Sequence, residues 1–362
     1  MQTPTRSTHF LRRMNYIYTM LFIHQFPDWT HFRYDFKRVL DALGKTRFDE
    51  GKLIAIMQLC DLRDVEQKIL SEDIIANFAI DDIHLDEDDV DKEVFLRNQG
   101  SVNFIKNHLG AIHNAAIPLT EERLFNWHAA MGQNKILSFR KGASEINYTK
   151  NDFTYNFKGT DPERIQNEIL NFLNWFDKAP LDGVIKAAIA HFWFLTIRPF
   201  DDANGRIART ITAMQLARTE NTNRCQYSLN TQILKQRNDY MRILCKTQKG
   251  NGDLTEWILW FLGTMQQAIS ASERRFSTAI NKLLFQHAHA GIALSEREQH
   301  LLNAALLQKI SENFTVKEVA AIFGTSHDTA LRDIQDLIRK GILQADKKGG
   351  RSQSYSLVKQ IP

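Results

Sequence analysis

Cysteine is nearly absent from this chain: three in 362 residues, Cys60, Cys225 and Cys245. They are far apart and odd in number, which excludes a disulfide framework and fits no zinc-binding spacing; a reducing, cytoplasmic setting is expected. Proline and glycine are scarce too, at 7 and 17 residues. So few turn-formers, with long Leu/Ala/Ile periodicity, point to a mainly α fold. There is no low-complexity tract and no internal repeat. Long apolar runs are lacking as well. Tyr16 to Phe26, behind Arg12 and Arg13, comes nearest to one, but it is too short to span a bilayer, contains His24 and lacks a small-residue cleavage site. No membrane partner is expected, and Met14 reads as the start, with residues 1–13 an upstream extension. Charge of one sign is in slight excess only. A formal +4 with a pI near 8.8 neither demands nor excludes nucleic acid.

What is present is ordinary globular material, 43% hydrophobic and 24% charged, long enough for two or three domains. Helical spacing of apolar residues recurs over Asp35 to Leu43 and Lys52 to Cys60, then over 120–132, where Leu124, Trp127 and His128 share a side. The stretch from Asp81 to Lys92 is strongly acidic and reads as a solvated helix start. Between Phe139 and Phe157 the period changes to alternation, in Ile146, Tyr148, Phe153, Tyr155 and Phe157, with Asn151-Asp152 as a hairpin turn. Helical patterns resume over Pro162 to Trp175, Gly183 to Ile197, Asn204 to Arg218, Leu229 to Leu244 and Asp253 to Phe285. His287 to Gly291 reads as an interdomain joint. Beyond it, Ser295 to Ile310 is amphipathic, Thr315 with Glu318 forms a capping box, Gly324 ends that helix, Ser326 to Lys340 makes another, and Leu343 to Val358 reads as two short strands around Lys347, Lys348 and Arg351. Helix, helix, turn, helix, hairpin is the order of a winged helix-turn-helix.

The chemistry concentrates in His191–Arg209. A buried helix ends at Ile197, because Pro199 disfavours helical geometry at Arg198. A tight loop with Asp201, Asp202 and Ala203 follows. Asn204 suits a helix cap, and Gly205 lets a ligand approach the backbone. Free amides at the new helix start form an anion site. Arg206 and Arg209, three apart, share a face beside it, which suits a polyphosphate. Asp202 is placed to hold Mg²⁺ against such phosphates. The plainer alternative is a capped helix with two surface arginines; the joint occurrence of Asp, Asn, Gly and both Arg weakens it.

This segment resembles the signature of the Fic family, H-P-F-x-[DE]-[GA]-N-G-R-x-x-R. Pro199, Phe200, Asp202, Ala203, Asn204, Gly205, Arg206 and Arg209 match it; Arg198 stands where the family has His. Tyr16, Pro27-Asp28-Trp29 and Phe32, Tyr227-Ser228 through Thr247-Gln248-Lys249-Gly250, and Trp257 through Leu262 extend the resemblance over nearly the whole chain. It implies a Fic-fold helical core at 101–286 with a β-hairpin flap, a helical N-terminal domain at 1–100, and the winged helix at 287–362. It further implies ATP or a related nucleotide with Mg²⁺ on Asp202, an anion hole at Asn204 and Gly205, distal phosphates on Arg206 and Arg209, and a flap that registers a target protein through Ile146 and Tyr148. In active relatives the motif His takes a proton from a target hydroxyl, which attacks the α-phosphate of ATP and leaves AMP on the target.

Arg198 cannot act as that base, since a guanidinium keeps its proton up to a pKa above about 12. Loss of the base is expected to impair AMP transfer. His191, seven residues upstream, reads as a packed helix residue rather than a substitute. The family's inhibitory pattern [ST]-x-x-x-E-[GN] has Asn77, Asp81 and Asp82 at its three key positions. Asp81, a methylene shorter than Glu, is expected to fall short of Arg209 and to be a poor brake. Three readings stay open: a nucleotide-binding protein of impaired transferase activity, a transferase of altered chemistry, and a nucleotide-sensing transcriptional regulator that binds DNA through residues 315–358. A homodimer is also left open.

Overall fold

The computed structural model describes residues 22–59, 62–96, 103–131, 138–150, 153–222, 224–288, 291–306, 309–346 and 353–358. Most of the apolar stretch at Tyr16, the Asn151-Asp152 turn, Cys60, part of the joint after His287, and Lys347, Lys348 and Arg351 lie outside them. The chain divides into two compact units, Met1–Glu273 and Arg274–Pro362. As expected, it is mainly α.

The first unit opens with a short 3₁₀ turn at Ile23–Gln25 and α1 (Phe36–Leu59). Two separate helical patterns were legible there. They fuse into one helix running through the exposed Gly44 and Gly51, because Val39, Leu53 and Met57 keep one buried stripe in phase. Next come α2 (Arg63–Ala79), α3 (Glu87–Leu96), α4 (Asn103–His113) and α5 (Glu121–Met131). The hairpin β1 (Glu145–Lys150) and β2 (Phe153–Lys158) is antiparallel, with Tyr148 opposite Tyr155. It leads through a 3₁₀ turn at Pro162–Arg164 into α6 (Ile165–Lys178).

α7 (Gly183–Ile197) is the centre of the unit. All its residues after Gly183 are buried, as expected of a helix that is apolar on every side. Asp182 caps it, accepting from the amides of Val184 at 2.8 Å and Ile185 at 3.3 Å. α8 (Asn204–Thr219) packs along it, and α4, α5 and α2 pack on α8. No helix among the described residues is long and apolar enough to cross a membrane.

The pattern over Leu229 to Leu244 breaks into α9 (Leu229–Lys235) and α10 (Arg237–Gln248), because Gln236 leaves helical geometry at φ −110° and ψ 27°. α9 packs on α2, anchored by Asp73, whose carboxylate accepts from Ser228 Oγ at 2.9 Å and from Asn230 Nδ2 at 2.7 Å. α10 packs under β2, where Tyr155 and Phe157 are buried with Cys245. α11 (Thr255–Ala288) follows; Trp257, Ile258, Phe261 and Leu262 are buried.

In the second unit, α12 (Glu296–Leu306), β3 (Phe314–Thr315), α13 (Val316–Phe323), α14 (His327–Arg339), β4 (Leu343–Ala345) and β5 (Ser354–Leu357) surround a core that includes Leu301, Phe314, Ile334, Leu337 and Tyr355. The sheet order is β3-β5-β4, antiparallel throughout; β3, too short to show alternation, was not legible beforehand. Only half of the anticipated capping box forms. Thr315 Oγ1 accepts from the Glu318 amide at 3.3 Å, but the Glu318 carboxylate turns to Ser311, at 2.8 Å from both its amide and its hydroxyl. Arg297 to Asp333 (3.1 Å) and Lys340 to Glu298 (2.6 Å) tie α14 to α12.

Candidate functional site

Where α7 stops, Arg198 turns left-handed (φ 50°, ψ 66°), its amide still bonded to the Phe194 carbonyl at 3.0 Å. The loop ends at Ala203, also left-handed at φ 57°, and α8 begins. Asn204 was expected to cap that helix. Its side chain instead clasps the loop, accepting from the Phe200 amide at 3.0 Å and donating to the Phe200 carbonyl at 2.7 Å. In this six-residue loop Phe200 is fully buried, so no water reaches its backbone groups and a side chain must satisfy them.

A residue not anticipated, Arg140, closes the C-terminus of α7. Its buried guanidinium donates to the carbonyls of Arg198 (2.6 Å), Gly142 (2.6 Å), Ile197 (3.4 Å) and Thr160. A Cβ at Gly159 would stand 3.0 Å from Arg198 Cβ and 3.1 Å from the Arg140 guanidinium, so glycine permits this close approach. The root of the hairpin is thereby locked to the motif loop. Arg198 Nε donates to Ser144 Oγ at 3.1 Å. Burial lowers its pKa, opposed by the neighbouring Tyr155, Asp81 and Tyr240; it remains a cation, with no lone pair to accept a proton.

Arg206 and Arg209 are only 6% and 2% exposed. Arg206 Nη1 donates to the Met131 carbonyl at 2.6 Å, and its guanidinium lies 5.2 Å over the Phe78 ring. Arg209 Nε donates to Asn77 Oδ1 at 2.6 Å and Nη2 to the Asn77 carbonyl at 2.7 Å. Both arginines converge on Asp81, whose Oδ2 is 3.1 Å from Arg209 Nη2 and 3.4 Å from Arg206 Nε. A Cβ built on Gly205 would stand 3.3 Å from Asp81 Oδ1. The carboxylate therefore lies over Gly205 at the start of α8, where amides and guanidinium groups favour an anion.

The expectation that Asp81 falls short of Arg209 is overturned. Asp81 sits in the turn that ends α2, its amide bonded to the Phe78 carbonyl at 3.0 Å. Asn77, one turn earlier, draws the guanidinium towards that turn. A shorter side chain then suffices. Nor is Asp81 a solvated helix-start residue, since α3 starts only at Glu87.

Asp202 sits at the rim, its side chain 57% exposed, with Oδ1 2.8 Å from His128 Nε2 and Oδ2 4.0 Å from Arg206 Nη2. His128 stacks on Phe200, with ring centroids 4.2 Å apart, which fixes the imidazole that orients Asp202. One accessible carboxylate near the Arg206 guanidinium fits Mg²⁺, which commonly takes one or two carboxylates and completes its shell with other oxygens and water. His191 is a packed residue. Its Nδ1 is 2.9 Å from Thr212 Oγ1 and its Nε2 2.9 Å from Tyr240 OH, and burial, with Arg209 nearby, lowers its pKa to about 3. Ile146 and Tyr148 are half-buried against the cluster that holds Tyr155 and Phe157, and Tyr148 OH donates to Asn238 Oδ1 at 2.9 Å.

Of the residues singled out in the sequence, Gly205, Arg206, Arg209 and Asp81 thus meet at one point, Asp202 borders it, and Arg198 stands at the start of the same loop. Arg140, Ser144, Gly159 and His128 were missed. Each meets the end of α7 or the motif loop from at least 38 residues away in sequence, so no local spacing announces it.

Residues 118–216 match the Fic/DOC family, and residues 22–97 match a domain of unknown function, DUF4172. A crystal structure of a Fic family protein from Desulfovibrio desulfuricans G20 is 18% identical, with a TM-score of 0.52 over 89% of this chain and 97% of that one. A Fic domain containing signaling protein from Bacteroides thetaiotaomicron VPI-5482 is 17% identical, with a TM-score of 0.46 over 68% of this chain and all of that one. The chain shares its fold with the Desulfovibrio protein. The loop at 198–203, Arg206 and Arg209 fall inside the matched segment.

Proposed function

We propose that this chain is a Fic-type protein that binds ATP or a related nucleotide and is impaired in AMP transfer. The observation that carries this reading is the convergence of Arg206 and Arg209 on a single carboxylate above Gly205. Two buried guanidinium groups and the start of a sixteen-residue helix make a site for an anion. Asp81 is an internal anion there, and a phosphate group is the external one that would compete with it. Asp202 would hold Mg²⁺ at the rim, and the metal would supply charge neutralisation between phosphates. Arg198 leaves the site without a general base, and His191 is too buried and too firmly bonded to replace one. Asp81 acts as a brake, and the hairpin as the element that receives a target protein. Calorimetry with ATP and Mg²⁺, paired with radiolabel transfer in lysate, tests the reading. Measurable binding with little or no transfer supports it; absence of binding, also after Asp81→Ala, refutes it.

A second reading, a nucleotide-responsive regulator, is favoured by the distribution of charge. Residues 274–362 hold 13 Lys/Arg against 8 Asp/Glu, whereas residues 1–273 hold 33 against 34. The second unit would then be a winged helix with α14 in a DNA groove, presenting the exposed His327, Arg332 and Gln335. Retarded migration of duplex DNA at low salt, weakened by Arg332→Glu and by added salt, is the expected result. Unaltered migration with full-length protein would turn the reading to protein docking.

A further inference from the structure

The turn that carries Asp81 is held by a second carboxylate. Asp82 takes a left-handed backbone (φ 59°), which few non-glycine residues do, although Asp tolerates it better than most. That conformation points its side chain away from the phosphate site. There it meets Arg237, the first residue of α10, in a two-pronged ion pair: Nη1 to Oδ1 at 2.5 Å and Nη2 to Oδ2 at 2.7 Å. The break at Gln236 is what turns Arg237 into this position. The Arg237 guanidinium also lies 5.6 Å over the ring of Tyr148 on β1, and Tyr148 is bonded to Asn238 beside it. A continuous chain of contacts therefore joins the carboxylate over Gly205 to the hairpin: Asp81, Asp82, Arg237, Tyr148.

We propose that Asp82 and Arg237 are positioning residues, a latch that keeps Asp81 on Arg206 and Arg209, and that the hairpin loosens the latch when Tyr148 is drawn from Arg237. Neither residue is bonded to the phosphate arginines, so the latch acts on the anion site through Asp81 alone. Its geometry suits that task. A bidentate Arg–carboxylate pair fixes orientation as well as distance, and the pair spans 155 residues of sequence to pin a turn whose backbone bonds are local. A segment docking along β1 would move Tyr148 and free Asp81, which couples target engagement to opening of the nucleotide site. The inference rests on the nucleotide reading above.

The test separates the latch from simple electrostatics. Removing an acid near an anion site should tighten anion binding, and removing a base should weaken it, so field effects give Asp82→Ala and Arg237→Ala opposite signs. A latch gives them the same sign. The probe is ATP with Mg²⁺, titrated into full-length wild type, Asp82→Ala, Arg237→Ala and the double variant. Each single change is expected to tighten binding by roughly threefold to tenfold, in line with a partly exposed charge-assisted pair, and the double by no more than either single. The gain should vanish in an Asp81→Ala background. Opposite signs, additivity, or a gain that survives without Asp81 would overturn the latch. A readout independent of nucleotide accompanies it: hydrogen exchange at the amides of Asp81, Asp82 and Ile83, which bond to Phe78 and Ala79 carbonyls. These should exchange several-fold faster in Arg237→Ala. Unchanged exchange refutes the latch even if no variant binds ATP, whereas lack of ATP binding in Asp81→Ala refutes the nucleotide reading instead.

Discussion

Arg198→His removes the one departure of this loop from the Fic motif, and the geometry of Asp81 says what should follow for the proposed AMP transfer. General-base assistance is worth about 10²–10⁴ in rate, so Arg198→His alone should raise transfer by up to that factor. It should not reach the full value, because Asp81 still sits on both phosphate-type arginines, 3.1 Å from the 2% exposed Arg209. A charge-assisted bond to such a group contributes about 1.5–3 kcal/mol; with the Asp81 side chain 31% exposed, a value just below that range, roughly 1.4 kcal/mol or tenfold in affinity, is appropriate. Arg198→His with Asp81→Ala is therefore expected to transfer about tenfold better than Arg198→His alone at subsaturating ATP. His tolerates left-handed geometry better than most residues, which suits φ 50° at this position. The assay is transfer of label from α-labelled ATP to the protein itself or to lysate proteins, with Mg²⁺. Adding Asp202→Ala should abolish it. A folded, ATP-binding double variant that labels nothing would refute latent transferase chemistry.

Other expectations follow from single residues. Asp81→Ala alone should tighten ATP binding about tenfold by calorimetry; unchanged affinity would show that the carboxylate does not compete with phosphate. Arg140→Ala should cost about 1–3 kcal/mol for each of the carbonyls of Arg198 and Thr160, which it leaves without their donor. A Tm depressed by several degrees is the measure, and an unchanged one would contradict the assigned role. His24, packed among Phe22, Trp29 and Phe157, has its pKa lowered from 6.5 to about 4, first by burial and next by Arg164. A depressed imidazole favours the neutral folded form. Stability is thus intact above pH 6.5 and falls as pH drops towards 4, by up to about 1.4 kcal/mol per pH unit. His24→Phe should flatten that part of the Tm profile, and an unaltered slope would count against it.

Local features were the legible ones. The break at Pro199, the arginines at 206 and 209, the hairpin alternation and the helical character of α7 and α8 all depend on residues within a few positions of one another. Features that join distant segments were silent: Arg140 on the end of α7, His128 on Asp202, Arg237 on Asp82. Side-chain identity alone did not reveal that Arg140 would spend its donors on four backbone carbonyls, since an arginine in a loop ordinarily reads as solvated. The misjudgement of Asp81 has a similar origin. Comparing Asp with Glu by length assumes a fixed backbone, whereas the turn after Ala79 and the hold of Asn77 on Arg209 set the distance. Asn204 was misread because a capping residue and a loop clasp look alike in sequence; which backbone groups lack partners decides between them.

The central claim, that Arg206 and Arg209 hold a nucleotide's phosphates, is tested most directly with the internal competitor removed. Titration of ATP and Mg²⁺ into Asp81→Ala and into Asp81→Ala with Arg206→Ala gives the contribution of one guanidinium without the brake. The account predicts that losing Arg206 weakens binding by about 1.5–3 kcal/mol, roughly tenfold or more. Equal affinities of the two variants would contradict it.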